Sequence, residues 1–143
     1  MRKEHIGGWW SMPVADTEVL FALRPADHKH HDVIKLLTTL SDVMVPDTAL
    51  LEFELVLRGR GLPDGDVVRA LSVVMTILER LGVAQVKTMD LDLLIQHNNR
   101  MVNYGLSFFD SLIAASALSL DEMVISDDRD FDRVPGLKRI GIR

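Results

Sequence analysis

The chain has 143 residues, 48% apolar and 26% charged, with no cysteine. That is enough for one packed domain, and it excludes a disulfide-stapled scaffold and a thiolate zinc site. Sixteen basic residues against 21 acidic ones leave a net charge of −5, which argues against gripping a duplex by phosphate neutralisation but suits carboxylates gathered around a divalent cation. No apolar run approaches the roughly 20 residues that span a bilayer, and the first residues lack a signal peptide's apolar stretch, so a cytoplasmic protein without membrane contact is expected.

Residues 1–11, with Gly7-Gly8 and Trp9-Trp10, show no periodicity and read as a flexible arm or a cloning remnant, leaving residues 12–143 as the domain. The apolar run Met12 to Ala15 reads as a buried strand, followed by a short helix to Leu23 that Pro25 breaks. Helical spacing resumes from Ala26 to Leu40, with Val33, Ile34, Leu36, Leu37 and Leu40 on one side. Val43 to Val45 reads as a second strand stopped by Pro46. Asp47 or Thr48 then caps a helix to Arg58, closed by Gly59 and Gly61. Pro63-Asp64-Gly65 marks a turn, and a helical stripe runs from Asp66 to Leu81 before Gly82. Val83 to Val86 is a third strand. Thr88 opens a helix that fades near Gly105, Ser107 caps another through Leu120, and Met123 to Ile125 is a fourth strand. A loop spans Ser126 to Asp132, and Leu137 to Ile142 adds a short edge strand. Short strands alternating with helices imply an α/β fold, a parallel sheet of about five strands covered on both faces. Sites in such sheets form beyond the carboxyl ends of the strands.

Four acids stand where a carboxylate needs a reason. Asp16 follows the first strand and precedes Leu20-Phe21, so it is either a helix cap or a held anion beside the core. Glu52 has Thr48, Ala49, Leu55 and Val56 as helical neighbours and points toward packing unless it turns to Arg58. Asp110 follows the cap Ser107 as a capping box would require, yet shares a face with Ile113, Ala114 and Ala117. Asp128 lies in Ser126-Asp127-Asp128-Arg129-Asp130-Phe131-Asp132, where the acids repel one another unless a cation or helix N-termini offset them. His28, His30, His31 and Asp32 offer a rival transition-metal face, and His97, among Gln96, Asn98, Asn99 and Arg100, is expected at the surface.

Taken in order, Asp16-Thr17 after a strand, Ala49-Leu50-Leu51-Glu52 early in a helix, the stretch Ser107 to Ala117 around Asp110, and Ile125 to Phe131 resemble the PIN-domain family, with the spacing of a VapC-type toxin ribonuclease. The resemblance covers Pro13 to Ile142. It implies an α/β/α sandwich whose carboxylates Asp16, Glu52, Asp110 and Asp128 converge to bind Mg²⁺ or Mn²⁺. Asp16, Asp110 and Asp128 are then metal ligands, Glu52 is a base or outer ligand, and Thr17, Ser126 and Asp130 support the site. Asp127 is an added acid, and the sequence leaves open whether it or Asp128 faces the metal. The same resemblance implies an RNA substrate, an antitoxin partner and a homodimer, the last through helices around Leu36 to Leu40 and Val67 to Leu78. Two other folds with an early aspartate fit less well. A haloacid-dehalogenase-like phosphatase needs a second aspartate where Glu18 stands, and a phosphoacceptor receiver needs an acidic pair at its first strand. A nuclease outside toxin–antitoxin systems and a non-catalytic PIN-like module remain alternatives.

Overall fold

The computed structural model describes residues 11–143, so the expected arm lies outside the described residues apart from Ser11. Five parallel strands make one sheet in the order β3-β2-β1-β4-β5, with β1 at Val14–Ala15, β2 at Met44–Pro46, β3 at Ala84–Val86, β4 at Met123–Ile125 and β5 at Lys138–Ile140. Among the described residues, six helices flank it: α1 Thr17–Phe21, α2 His30–Thr39, α3 Asp47–Gly59, α4 Asp64–Leu81, α5 Leu91–Tyr104 and α6 Phe108–Leu118. No single described helix is long and apolar enough to cross a membrane.

The central strand is the shortest and the driest. Val14 and Ala15 are fully buried, as are Val124 and Ile125 of β4, which is what parallel strands covered on both faces require. Register places Ala15 beside Ile125, and the next residue of each strand, Asp16 and Ser126, therefore emerges side by side at the carboxyl edge. The Asp16 amide donates to the Ile125 carbonyl at 3.0 Å, continuing the pairing by one residue.

Helix α6 carries the most buried face. Ser111 through Ala117 are all buried, and its small side chains let it pack against α3, α5 and β4. Glycines at Gly82 and Gly105 end α4 and α5 in the left-handed conformation, at φ 70° and 65°, where a side chain would be strained.

Several boundaries differ from the sequence expectation. Helix α2 starts at His30 because Asp27 organises a turn before it: its carboxylate accepts from the Lys29 amide at 2.8 Å, and its carbonyl accepts from the His30 amide at 3.0 Å. Pro63-Asp64-Gly65 is a helix start, with extended Pro63 at the cap and two acids in the first turn, a placement the helix dipole favours. Helix α5 begins after Asp90, whose carboxylate accepts from the Leu93 amide at 2.7 Å, and not at Thr88. Asp47 is not the cap of α3, a position Pro46 takes. Its carboxylate instead accepts from the amides of Thr48, Thr88 and Met89 and from the Thr88 hydroxyl, tying the loop after β3 to α3. The expected loop after β4 contains a 3₁₀ turn, Arg129–Arg133. Most of the apolar side of α2 faces the core, with Val33, Leu37 and the following Leu40 buried and Ile34 and Leu36 partly buried against it. Helix α4 keeps Val68, Val73 and Met75 exposed.

Candidate metal centre

Three acids come together beyond the carboxyl ends of the strands. Asp110, Asp128 and Asp130 each offer a carboxylate oxygen within 4.8 Å of the others, and all three are half-buried. Asp110 is delivered by the first turn of α6, which Ser107 caps by accepting from the Asp110 amide at 3.3 Å. Asp128 is the N-cap of the 3₁₀ turn, and its carboxylate accepts from the Asp130 amide at 2.9 Å. Fully buried Phe131 roots that turn in the core. Asp130 also holds Arg133 at 3.0 Å.

Asp16 is both the N-cap of α1 and a buried carboxyl beside the core, so the two readings of its position are compatible. One carboxylate oxygen accepts from the Thr17 amide at 2.7 Å, the other from the Ser126 hydroxyl at 2.7 Å. Ser126 in turn accepts from the Asp128 amide at 3.0 Å, so one buried hydroxyl sets the relation between the first and fourth acids. Glu52 reaches the site through Thr17, whose hydroxyl donates to its carboxylate. Arg58 does not compete for it, being paired with Glu54 and Asp64.

Crowding and burial leave their mark on the charges. Burial pushes Asp16 up to about 7, against the hydrogen bonds from Ser126 and Thr17 and with help from the neighbouring charges of Glu18 and Asp110. Burial, then the charge of Asp128, pushes Asp110 up to about 6. Groups so raised are at home as neutral acids, and an adjacent divalent cation is what would make their ionised forms comfortable. The sign for stability follows. Both native values exceed the ordinary 3.8, so the stability they contribute is complete below that value and is lost as pH rises through about 6 and 7. The melting temperature of the metal-free protein is therefore expected to fall between about pH 5 and pH 8. Differential scanning fluorimetry in EDTA checks this, and a flat or rising profile across that window would contradict it.

Asp127 stands outside that carboxylate group, with partners of its own. Its carboxylate takes Lys29 Nζ at 2.9 Å and accepts from the Ile142 amide at 2.7 Å and the Arg143 amide at 3.2 Å. Burial works against its ionised form, but these donors outweigh burial and hold it below the ordinary carboxylate range. Two further residues, Glu18 and Lys29, complete this side network. Glu18 accepts from the Asp127 amide and lies 3.3 Å from the Ser126 oxygen, whose proton goes to Asp16, and Lys29 bridges Glu18 and Asp127. The spacing of Asp16 and Glu18 at a strand end was the available signal for Glu18. Lys29 was hidden among histidines.

Those histidines do not form a metal face. His28 lies before α2 and is exposed, His30 donates its Nδ1 proton to the Ala22 carbonyl at 2.8 Å in one consistent tautomer, and Asp32 holds Arg143. His97, expected at the surface, is buried between α5 and α6.

No curated protein matches the chain. Solved structures do. The VapBC2 complex of Rickettsia felis bound to a promoter DNA fragment is 15% identical, with a TM-score of 0.66 over 91% of this chain and 98% of that one. A toxin–antitoxin complex from Klebsiella pneumoniae is 16% identical, with a TM-score of 0.64 over 92% and 98%. VapC20 of Mycobacterium tuberculosis, a toxin that cleaves the sarcin-ricin loop, is 21% identical, with a TM-score of 0.63 over 83% and 92%. At such identities these likenesses speak for the fold, the α/β/α sandwich of VapC structures. The PIN domain family model matches residues 14–137, from the first residue of the central strand to the threshold of the last, and the chain accordingly belongs to the PIN domain family.

Proposed function

We propose that the protein is a divalent-metal-dependent endoribonuclease acting in the cytoplasm as the toxin of a toxin–antitoxin pair. The observation that carries this reading is the convergence of Asp110, Asp128 and Asp130 beside Asp16, with Asp16 and Asp110 raised toward neutrality chiefly by burial and further by neighbouring carboxylates. A set of hard oxygen donors with no histidine or cysteine suits Mg²⁺ or Mn²⁺. Asp16, Asp110 and Asp128 would hold the ion, and Asp130 lies close enough to Asp110 and Asp128 to join them. When bound, such an ion lowers the pKa of its water and offsets charge developing on a phosphodiester.

The protein's own contribution is placement. Ser126 and the Thr17 amide fix both oxygens of Asp16, so its carboxylate is aimed before anything binds. Glu52, held through the Thr17 hydroxyl, is the acid assigned to accept the proton of the attacking water. Purified protein should cut single-stranded RNA with Mg²⁺ and lose that activity in EDTA, and millimolar Mn²⁺ should raise its melting temperature by mass action, more at pH 8 than at pH 5. Cleavage that persists in EDTA, or folded protein indifferent to Mn²⁺, would sink the reading.

The neighbours that are toxin–antitoxin complexes support an antitoxin partner for this chain. A cleft between α1, α3 and α4 would suit such a segment: Phe21, Phe53, Leu57 and Ile77 supply an apolar floor, and Arg24, Arg60 and Arg69 a cationic rim. Growth arrest on expression, relieved by co-expressing an adjacent small reading frame, would bear this out, and no arrest would count against it. A homodimer completes the proposal. Its apolar candidates are the partly buried Ile34 and Leu36 of α2, Val68 and Met75 of α4, and the exposed Leu91, Ile95 and Val102 of α5. Sedimentation at tens of micromolar decides that point.

A further inference from the structure

Among the described residues, His97 is 1% exposed, and its hydrogen bonds fix its state. The Ser111 hydroxyl donates to the Phe108 carbonyl at 2.8 Å, which leaves its lone pairs free to accept, and His97 Nδ1 lies 3.0 Å from that oxygen. Nδ1 is thus the protonated nitrogen. Nε2 accepts from the Asn98 side-chain amide at 3.2 Å, and that same amide also donates to the Leu94 carbonyl at 2.8 Å. A neutral ring satisfies every partner, and burial holds the imidazole below its ordinary range.

What this ring grips is the turn that carries Asp110. Ser111 follows Asp110 directly. Phe108 meets the His97 ring edge-on, with centroids 5.1 Å apart, and Phe109 packs edge-on against Phe108 at 5.2 Å. Leu93 of α5 closes a small core with Leu112, Ala115 and Phe109 of α6. Every immediate neighbour of Asp110 in the first turn of α6 is therefore held against α5 or by His97 itself. In such a seam an apolar residue would pack, but only a donor at Nδ1 specifies where the Ser111 hydroxyl and the turn around it sit.

We infer that His97 is a positioning residue, which sets the first turn of α6 through Ser111 and Phe108 and so aims Asp110 into the acidic cluster. The inference rests on the metal-nuclease reading above. Outer residues that orient metal ligands are generally worth about 10–100-fold in metal affinity, and His97 acts through one intervening residue, so His97→Leu is expected near the lower end.

The test uses the whole protein and Mn²⁺ titrated calorimetrically, with RNA cleavage measured alongside. His97→Leu and Ser111→Ala should each fold, weaken Mn²⁺ binding by about 10-fold, and lower kcat more than they raise KM. His97→Asn, whose amide nitrogen can stand where Nδ1 stood, should recover affinity to within about threefold of wild type. The double variant His97→Leu with Ser111→Ala should bind no more weakly than either single one, because both break the same bond. In the metal-free wild type, histidine ¹⁵N shifts should report the Nδ1–H tautomer near neutral pH. An Nε2–H tautomer, or folded His97→Leu binding Mn²⁺ as tightly as wild type, would overturn the inference while leaving the nuclease reading intact, and so would His97→Asn as weak as His97→Leu. Wild type that neither binds Mn²⁺ nor cuts RNA overturns the nuclease reading, and this inference with it.

Discussion

Asp16→Asn and Asp110→Asn are each expected to cut single-stranded RNA cleavage by about 10³-fold or more, the several kcal/mol of transition-state stabilisation that follow a lost metal ligand. Neither should unfold the protein. Asparagine keeps one oxygen, enough to accept from the Thr17 amide, and its amide nitrogen can donate to the Ser126 oxygen once that hydroxyl rotates away from the bond it now makes, so the charge and one acceptor are lost while the side chain keeps its size. That charge is what burial resists, since Asp16 is raised to about 7. At pH 8 without metal, Asp16→Asn is therefore expected to melt higher than wild type by several degrees, the trade of stability for activity common where function requires an uncomfortable group. The gain should shrink toward pH 5, where wild-type Asp16 is already neutral. Cleavage assays in Mg²⁺ and thermal melts in EDTA measure the two halves. Full activity in either variant would remove that residue from the metal site, and a lower melting temperature for Asp16→Asn at pH 8 would refute the account of its charge.

Asp128→Asn and Asp127→Asn should separate widely although the residues are adjacent. Asp128 shares the 4.8 Å cluster with Asp110 and Asp130, and losing its charge is expected to cost about 10²-fold or more in rate. Asp127 faces Lys29 and the amides of Ile142 and Arg143. Asparagine there can still accept from the amides, so activity should stay within about threefold of wild type, with a stability loss of about 1 kcal/mol from the weakened Lys29 pair. Parallel kinetics and urea melts on the two variants decide it. The reverse order would move the fourth acid of the site from Asp128 to Asp127.

Much of this was legible in the chain. Met123 to Ile125 and the small-residue stretch after Ser107 have one plausible secondary structure each, and the strand-end position of Asp16 follows from the apolar run before it. What the sequence could not separate were features decided by contact between distant segments. Asp127 and Asp128 are chemically identical neighbours, and only the Lys29 side of the fold distinguishes them. His97 sits among Gln96, Asn98, Asn99 and Arg100, a polar context that reads as solvent, yet Leu93 and Met101 lie one turn either side of it and mark the buried face. The periodicity from Ala26 was genuine apolar spacing, but Asp27 had already committed those residues to a turn. Pro63-Asp64-Gly65 has turn composition, and its Pro and acids are equally the signature of a helix start.

The sheet order bears on when the site comes into being as the chain is made. The middle strand is the first one synthesised, and it is flanked by β2 on one side and β4 on the other. Val14 waits for Val124, and Asp16 waits for the Ser126 hydroxyl. Until that late segment has cleared the ribosome, the nascent chain has no completed sheet and Asp16 has no second donor. Such closure across most of the sequence is slow by nature, because chain entropy is surrendered before the contact rewards it. The acidic cluster is therefore among the last features of the chain to be completed, because Asp110, Ser126, Asp128 and Asp130 all come from its final third.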